Sequence, residues 1–209
     1  NIVDNQKYIP YNREELFTNQ EVIPMKTRSL ALTAIFAAIT VVFAQISIPL
    51  PFTPIPLSLC VAGSYLAGSI LPTRYAVYSQ IIYILLGIIG LPVFGGFSGG
   101  IGHIAGPTGG YIAAYPLMAL LVSLVSSRFQ KKTPAAFGLG MLAALAVCYL
   151  FGSVWYSVVG NITLAQAFLG AVIPFIPMDL VKIVLLSVFA AALHKALKKA
   201  GFPPVAVIS

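Results

Sequence analysis

Acidic residues are scarce in this chain. Asp and Glu number 5 among 209 residues, against 12 Lys and Arg. Four of the five acids lie within residues 1–24, so Asp179 is the only acidic residue after Glu21. Two carboxylates that share one proton, as in an aspartyl dyad, are therefore excluded from residues 25–209.

Cysteine is also rare, and an ATP-binding loop is absent from the sequence. Cys60 and Cys148 lie in different apolar segments without metal-ligand spacing. We interpret each as a small buried apolar residue and predict neither a disulfide nor a metal site. No Gly-x-x-x-x-Gly-Lys-Ser/Thr sequence occurs, which excludes ATP hydrolysis through a P-loop in this chain. No resident cofactor is predicted.

Apolar residues, by contrast, dominate the composition. They make up 59% of the chain, charged residues make up only 8%, and the mean hydropathy is +0.95. Soluble domains carry about 25% charged residues, so the composition indicates an integral membrane protein in a lipid bilayer. The predicted fold is all-α with six transmembrane helices, drawn from the apolar segments 29–48, 57–71, 75–91, 109–127, 134–159 and 165–195.

The first 24 residues differ from the rest of the chain. They contain no apolar run, and Met25 begins a sequence that resembles a natural start. We interpret residues 1–24 as a polar leader, either a polar tail or an added expression leader, and residues 25–209 as one transmembrane domain.

Basic residues mark alternate ends of the predicted spans. The loops at 49–56, 92–108 and 160–164 contain no Lys or Arg. Apart from Lys182 inside the last span, the remaining loops and the ends of the domain carry all the basic residues after position 24: Lys26, Arg28, Arg74, Arg128, Lys131, Lys132, Lys195, Lys198 and Lys199. Because positive charge accumulates on the cytoplasmic side of membrane proteins, we predict that both termini are cytoplasmic. The basic charge then requires no nucleic-acid partner.

Two of the uncharged loops have unusual compositions. Prolines at positions 49, 51, 54 and 56 predict an extended, stiff connector. Residues 95–111 contain eight glycines in seventeen positions, and glycine lets backbone approach a ligand or a helix closely. Either these are mobile exterior loops or they line a cavity, because irregular backbone at membrane depth occurs only where it is buried or lines a cavity.

Asp179 and Lys182 form the most informative pair of residues. They are three positions apart in an apolar segment, so both side chains project from one face of a helix. Pro177 suits a first helical turn, which places the pair near the outer end of the last span. Charges in hydrocarbon are costly. The pair is therefore either a salt bridge that fixes helix packing or, as we favour, a polar ligand site in an outward-facing pocket.

Two further features have competing interpretations. Ser98, with His103 nearby, allows a membrane hydrolase, although the other histidine, His194, lies at the opposite face. The first span carries small residues that let another helix approach closely, either in internal packing or in docking of a partner: Ala31, Ala34, Ala37 and Ala38.

Four segments together resemble the BioY family, the biotin-specific substrate-binding subunits (S components) of energy-coupling factor (ECF) transporters. They are Pro51–Pro56, Gly90–Gly100, Gly106–Tyr111 and the Pro-x-Asp-x-x-Lys sequence of residues 177–182. The resemblance covers residues 25 to about 200. It implies a six-helix protein in the plasma membrane of a prokaryote that binds biotin from outside. Such a protein docks on a transmembrane coupling subunit and two ABC ATPases; a carrier that needs no partner is the alternative.

The resemblance also implies roles for individual residues. Asp179 is expected to accept hydrogen bonds from the ureido N–H groups of biotin, because an ionised carboxylate only accepts. Lys182 is expected to donate to the ureido carbonyl or to the ligand carboxylate. The alanine face of the first span corresponds to the small-residue motif used for docking. The other predicted substrate-binding residues are Tyr111, Phe52 and Phe97, which form the apolar wall, and Gly99 and Thr53.

Overall fold

The computed structural model describes residues 25–51 and 53–200, and this part of the chain is mostly helical. The predicted leader at 1–24 and the predicted site residue Phe52 lie outside the described residues. In chain order the elements are α1 (Met25–Gln45), β1 (Ser47–Leu50), β2 (Thr53–Ser58), α2 (Cys60–Ile70), α3 (Thr73–Ile88), α4 (Ile101–Ala105), α5 (Gly109–Ser127), α6 (Pro134–Gly160), α7 (Leu164–Ala171) and α8 (Ile176–Lys199).

Four of the described helices are long and apolar enough to cross a membrane: α1 over Thr27–Gln45, α5, α6 and α8. A full span needs about 20 residues, whereas α2 has 11 and α3 has 16. Two predicted segment boundaries were wrong. Residues 57 and 58, the start of the predicted second span, belong to strand β2, and the predicted sixth span is divided into α7 and α8.

The proline-rich connector is extended, as predicted, but it folds back on itself. Strands β1 and β2 pair antiparallel, with Ser47 opposite Ser58 and Leu50 opposite Thr53. The prediction of an all-α fold therefore missed this hairpin. A two-stranded sheet tolerates proline because each strand is an edge strand. One side of each strand has no partner strand, so a proline whose nitrogen faces that side removes no hydrogen bond of the sheet.

Local signals define the ends of the two longest helices. Thr133 caps α6 by accepting a hydrogen bond from the Ala136 N–H at 3.3 Å, and α6 ends at Asn161 in the left-handed conformation. Helix α8 begins at Ile176 with Pro177 in its first turn, as the sequence predicted. Asp179 consequently lies in the first turn of α8.

The core forms where α5 packs along α6 and also contacts α2 and α3. Helix α8 packs on α6 and α2, and α1 packs on α2 and α3. The three helices α1, α2 and α3 are joined by the buried Gln80 side chain, which donates to Thr40 Oγ1 at 3.2 Å and accepts from Ser64 Oγ at 2.9 Å. The outer surface exposes many large apolar side chains, such as Val42, Leu150 and Leu185. This surface suits a hydrocarbon environment, as expected of a multi-pass membrane protein.

The four alanines of the predicted docking face do not share one face of α1. Ala31, Ala34 and Ala38 are exposed, whereas Ala37 is only 2% exposed and packs inside the chain. Adjacent helix positions are rotated by about 100°, so Ala37 and Ala38 cannot both point outward along a narrow stripe. The predicted docking face therefore excludes Ala37, and docking by the other three remains a prediction.

Candidate functional site

A cavity of about 520 Å³ lies at the end of the bundle where α8 begins. Its walls come from the β1–β2 hairpin, the glycine-rich segment before α5, and the helices α2, α5, α6 and α8. The proline-rich and glycine-rich segments therefore line a cavity, which was the second of the two predicted alternatives. Most of the wall is apolar, and its charged side chains are Asp179 and Lys182.

Asp179 is 6% exposed, and both of its carboxylate oxygens are engaged. Oδ1 accepts from Lys182 Nζ at 2.8 Å. Oδ2 accepts from the Tyr149 hydroxyl of α6 at 2.7 Å. Because a carboxylate oxygen has two acceptor sites, each oxygen retains capacity for one more donor. Asp179 thus holds α6 to α8 and can still accept from a ligand.

Lys182 connects the same site to the hairpin. Its Nζ donates to the backbone oxygen of Ser58, at the end of β2, at 2.7 Å. An ammonium group has three donors, and the contacts with Ser58 and Asp179 use two of them. The third donor is available to a molecule in the cavity. The pair is therefore both a packing bridge and a polar element of the cavity wall.

Tyr111 contributes its ring to the cavity wall, as predicted. Its hydroxyl donates to the backbone oxygen of Ala171, at the end of α7, at 3.1 Å. The ring lies directly against Gly152 of α6, where any Cβ would overlap it. Gly152 therefore fixes how closely Tyr111 approaches α6.

Of the other predicted site residues that the structure describes, one lines the cavity and two do not. Thr53 lines the cavity, and its hydroxyl accepts from the Ile55 N–H at 3.3 Å. Phe97 does not form the apolar wall: it has a positive φ of 56° at a tight turn and is 72% exposed. Gly99 is not part of the wall either. It packs against the backbone oxygen of Leu91, where a Cβ would overlap, so a glycine is needed here for the close packing of the loop.

Gln45, at the end of α1, holds the start of the glycine-rich segment in place. Its Nε2 donates to the backbone oxygens of Val93 at 3.3 Å and Phe94 at 3.2 Å, and its Oε1 accepts from the Phe97 N–H at 2.8 Å. The Phe94 ring stacks on His103, with centroids 5.3 Å apart. Burial lowers the pKa of His103. The glycine-rich segment is therefore a structured wall.

Several cavity residues were not predicted from the sequence. Tyr149, Tyr83 and Tyr115 line the cavity, as do both cysteines. Cys60 and Cys148 are free and buried, as predicted, and Cys60 Sγ donates to the Tyr83 hydroxyl at 3.3 Å. The position of Tyr149 was the signal that could have identified it. Tyrosine favours membrane interfaces, so a tyrosine in the middle of α6 indicates a polar contact inside the bundle.

The geometry around Ser98 lacks what a hydrolase requires. Ser98 Oγ lies 3.4 Å from His103 Nε2, but it donates to the backbone oxygen of Gly95 at 2.7 Å. A catalytic triad needs a third group that orients the histidine. The only carboxylate among the described residues, Asp179, is bound to Lys182 and Tyr149. Over residues 25–51 and 53–200, no cluster of potential metal ligands occurs.

Comparisons with known proteins agree with this arrangement. A probable biotin transporter BioY from Pyrococcus horikoshii is 40% identical over 158 residues, which cover 76% of this chain and 91% of the relative. The biotin transporter BioY from Rhizobium etli is 33% identical over 187 residues, which cover 86% of this chain and 97% of that protein.

A solved structure has the same fold. The crystal structure of the S-component for biotin from an ECF-type ABC transporter superposes with a TM-score of 0.77 at 27% sequence identity. The match covers 82% of this chain and 93% of that one. The model of the BioY family matches residues 16–199. This chain therefore belongs to the BioY family.

Proposed function

We propose that this chain binds biotin and takes it up as the membrane-embedded substrate-binding subunit of an ECF-type ABC importer. Family membership and the names of its relatives support this proposal. The observation that carries it is the Asp179–Lys182 pair, which presents spare acceptors and one spare donor to an otherwise largely apolar cavity. At about 520 Å³, the cavity falls within the size range of roughly 300–1,000 Å³ that is usual for small-molecule sites.

Biotin matches the chemistry of the cavity in three parts. Its ureido group offers two N–H donors, which the free acceptor sites of Asp179 suit. Its sulfur-containing ring is apolar and fits against aromatic walls such as those of Tyr83 and Tyr115. Because Asp179 and Lys182 neutralise each other, a neutral ureido group binds there without adding an uncompensated charge.

Lys182 has two possible ligand partners, the ureido carbonyl and the carboxylate of biotin. The two alternatives are separable with biotin methyl ester, which lacks the free carboxylate. If Lys182 binds the carboxylate, Lys182→Met weakens the binding of biotin but not that of the ester. If Lys182 binds the carbonyl, the substitution weakens both ligands equally.

The same proposal assigns an orientation and a membrane topology. Apart from Lys182, the basic residues after position 24 lie at the helix ends away from the cavity, so the positive-inside rule favours cytoplasmic termini and an outward-facing cavity. In this arrangement α1, α2, α3, α5, α6 and α8 form the six membrane helices, with α2 shielded inside the bundle. Ten of the eleven α2 residues are buried.

ATP-driven uptake requires partners, because this chain has no P-loop. We assign docking on a transmembrane coupling subunit, which works with two ABC ATPases, to the exposed alanines of α1, Ala31, Ala34 and Ala38. Ala34→Trp should abolish co-purification with the coupling subunit, because the indole prevents close helix approach, and should leave biotin affinity unchanged. Leu185→Trp, at an exposed site on α8, is the matched control.

The decisive test of the binding site is Asp179→Asn. Hydrogen bonds to charged groups contribute about 1.5–3 kcal/mol, so biotin affinity measured by calorimetry should fall roughly 10- to 100-fold. A thermal melting curve establishes that the variant is folded. Unchanged affinity in a folded Asp179→Asn protein would refute the assigned site.

A further inference from the structure

A second pocket lies at the opposite end of the molecule from the biotin cavity. It is an open pocket between the loop that enters α6 and the last three turns of α8, and its described lining is Lys131, Lys132, Thr133, Pro134, Val188, Ala191, Ala192, His194, Lys195 and Lys198. Lys195 follows Asp179 by sixteen residues on the same helix, which corresponds to about 24 Å at 1.5 Å per residue. The pocket is therefore separate from the site described above.

The positive charge of this pocket has no anionic partner among the described residues. Four lysines line it, whereas the one acidic side chain that the structure describes, Asp179, lies at the far end of α8 and pairs with Lys182. Lys132 Nζ donates to the backbone oxygen of Ser126 at 2.8 Å, which is a neutral acceptor. Burial lowers the pKa of Lys132, so a nearby anion would stabilise its charged form.

His194 adds an unused polar group to the same pocket. Its Nδ1 is buried and has no hydrogen-bond partner within the described residues. The ring is held beside Phe137 of α6, with centroids 6.1 Å apart. A buried polar atom without a partner is costly, so the described residues leave a polar group unsatisfied beside the lysines.

The remaining lining is apolar and extends toward the middle of α8. Val188 precedes Lys195 by seven residues, which places it about 10 Å deeper along the helix axis. Val188 and Ala192 are exposed on this wall, with Ala191 half-buried beside them. A small hydrophilic anion makes no favourable contact with such an apolar wall, whereas an acyl chain attached to a phosphate would cover it.

We propose that this pocket binds an anionic phospholipid, with its phosphate among Lys131, Lys195 and Lys198 and the upper part of an acyl chain along Val188 and Ala192. Basic pockets between transmembrane helices are suited to acidic headgroups. Orienting the protein in the membrane requires only positive charge and no pocket. In this proposal the lysines also bind the lipid headgroup. This inference is independent of biotin binding.

Native mass spectrometry of the protein in detergent tests the proposal. The protein is incubated with equimolar dioleoyl phosphatidylglycerol and dioleoyl phosphatidylcholine. Wild type should retain phosphatidylglycerol with at least about tenfold preference, since each lysine of the pocket adds to the attraction for an anionic headgroup. Excess inorganic phosphate should not displace the lipid, because phosphate alone does not cover the apolar wall.

Two sets of variants separate the pocket from general surface charge. The triple variant Lys131→Gln, Lys195→Gln and Lys198→Gln should lose about tenfold or more of this retention. The matched triple variant Arg74→Gln, Arg128→Gln and Lys199→Gln removes three charges from the same end, outside the lining, and should retain the lipid.

A second variant addresses the apolar wall without changing charge. Ala192→Trp fills the wall and should reduce phosphatidylglycerol retention, whereas Leu185→Trp, outside the lining, should not. If the triple lysine variant fails to fold, this pair still decides the question. The proposal is overturned by any of four results: no preference for phosphatidylglycerol in wild type, equal losses in both triple variants, equal retention by Ala192→Trp and Leu185→Trp, or displacement by phosphate alone.

Discussion

At the scale of single residues, the polarity of the proposed biotin cavity depends on one carboxylate held from two sides. Tyr149 fixes Oδ2 of Asp179 from α6, and Lys182 fixes Oδ1 from the next turn of α8. Breaking a buried ion pair by removing one partner costs about 3–5 kcal/mol. The tyrosine is therefore the gentler place to perturb the site.

Tyr149→Phe removes one hydrogen bond to Asp179 and keeps the aromatic ring. The carboxylate should lose part of its fixed orientation, and biotin affinity should fall by roughly 3- to 10-fold, since only part of the roughly 1.5–3 kcal/mol of a hydrogen bond to a charged group is lost from ligand binding. Tyr78→Phe, at a half-exposed position outside the cavity lining, should leave affinity unchanged. Equal affinities for wild type and Tyr149→Phe would mean that Tyr149 serves packing alone.

The sequence allowed some site residues to be predicted and not others. Asp179 and Lys182 were predictable because a charge in an apolar segment has few permitted environments. Tyr149 was not, because the chain has 10 tyrosines and the direction of each depends on helix rotation. Phe97 and Gly99 were wrongly placed because the path of a glycine-rich loop has no periodic pattern.

At the scale of elements, apolar segments predicted where the long helices lie, and Pro177 predicted the start of α8. The hairpin was not predicted, because prolines specify an extended backbone but not the strand with which it pairs. Helix α7 was also not predicted as a separate helix ahead of α8. Its residues are apolar, and hydropathy does not distinguish a continuous helix from two successive helices.

The contact between α5 and α6 beside the cavity gives a prediction at the same scale. Gly152→Ala introduces a Cβ that overlaps the Tyr111 ring. Overpacking costs about 1–3 kcal/mol, which offsets the gain of about 1 kcal/mol in helix propensity. Biotin affinity should fall about tenfold as Tyr111 moves, and the melting temperature should not rise.

Gly138→Ala on the same helix is the matched control for this experiment. A Cβ there meets its nearest neighbour, Ser187, at 3.8 Å, which is an ordinary contact. Its affinity should match that of wild type, and its stability should rise slightly through helix propensity. If both alanine variants behave alike in calorimetry, the Tyr111–Gly152 contact does not shape the cavity.

At the scale of the whole molecule, the three proposed functions occupy separate surfaces. The proposed biotin cavity lies where α8 begins, the basic pocket lies where α8 ends, and the exposed alanines lie along α1. Gln45 connects the end of α1 to the glycine-rich wall of the cavity. A partner that shifts α1 would therefore act on that wall directly.

Purified protein in liposomes loaded with ATP should bind biotin without accumulating it. The chain has no P-loop, and its single membrane carboxylate, Asp179, is already neutralised by Lys182, so it offers no free acidic group to couple a proton gradient. Uptake of labelled biotin against its gradient should begin only when the coupling subunit and both ATPases are reconstituted with it. Ala34→Trp should abolish that uptake while binding persists. Accumulation by the chain alone would instead establish a self-sufficient carrier and remove the need for a docking face on α1.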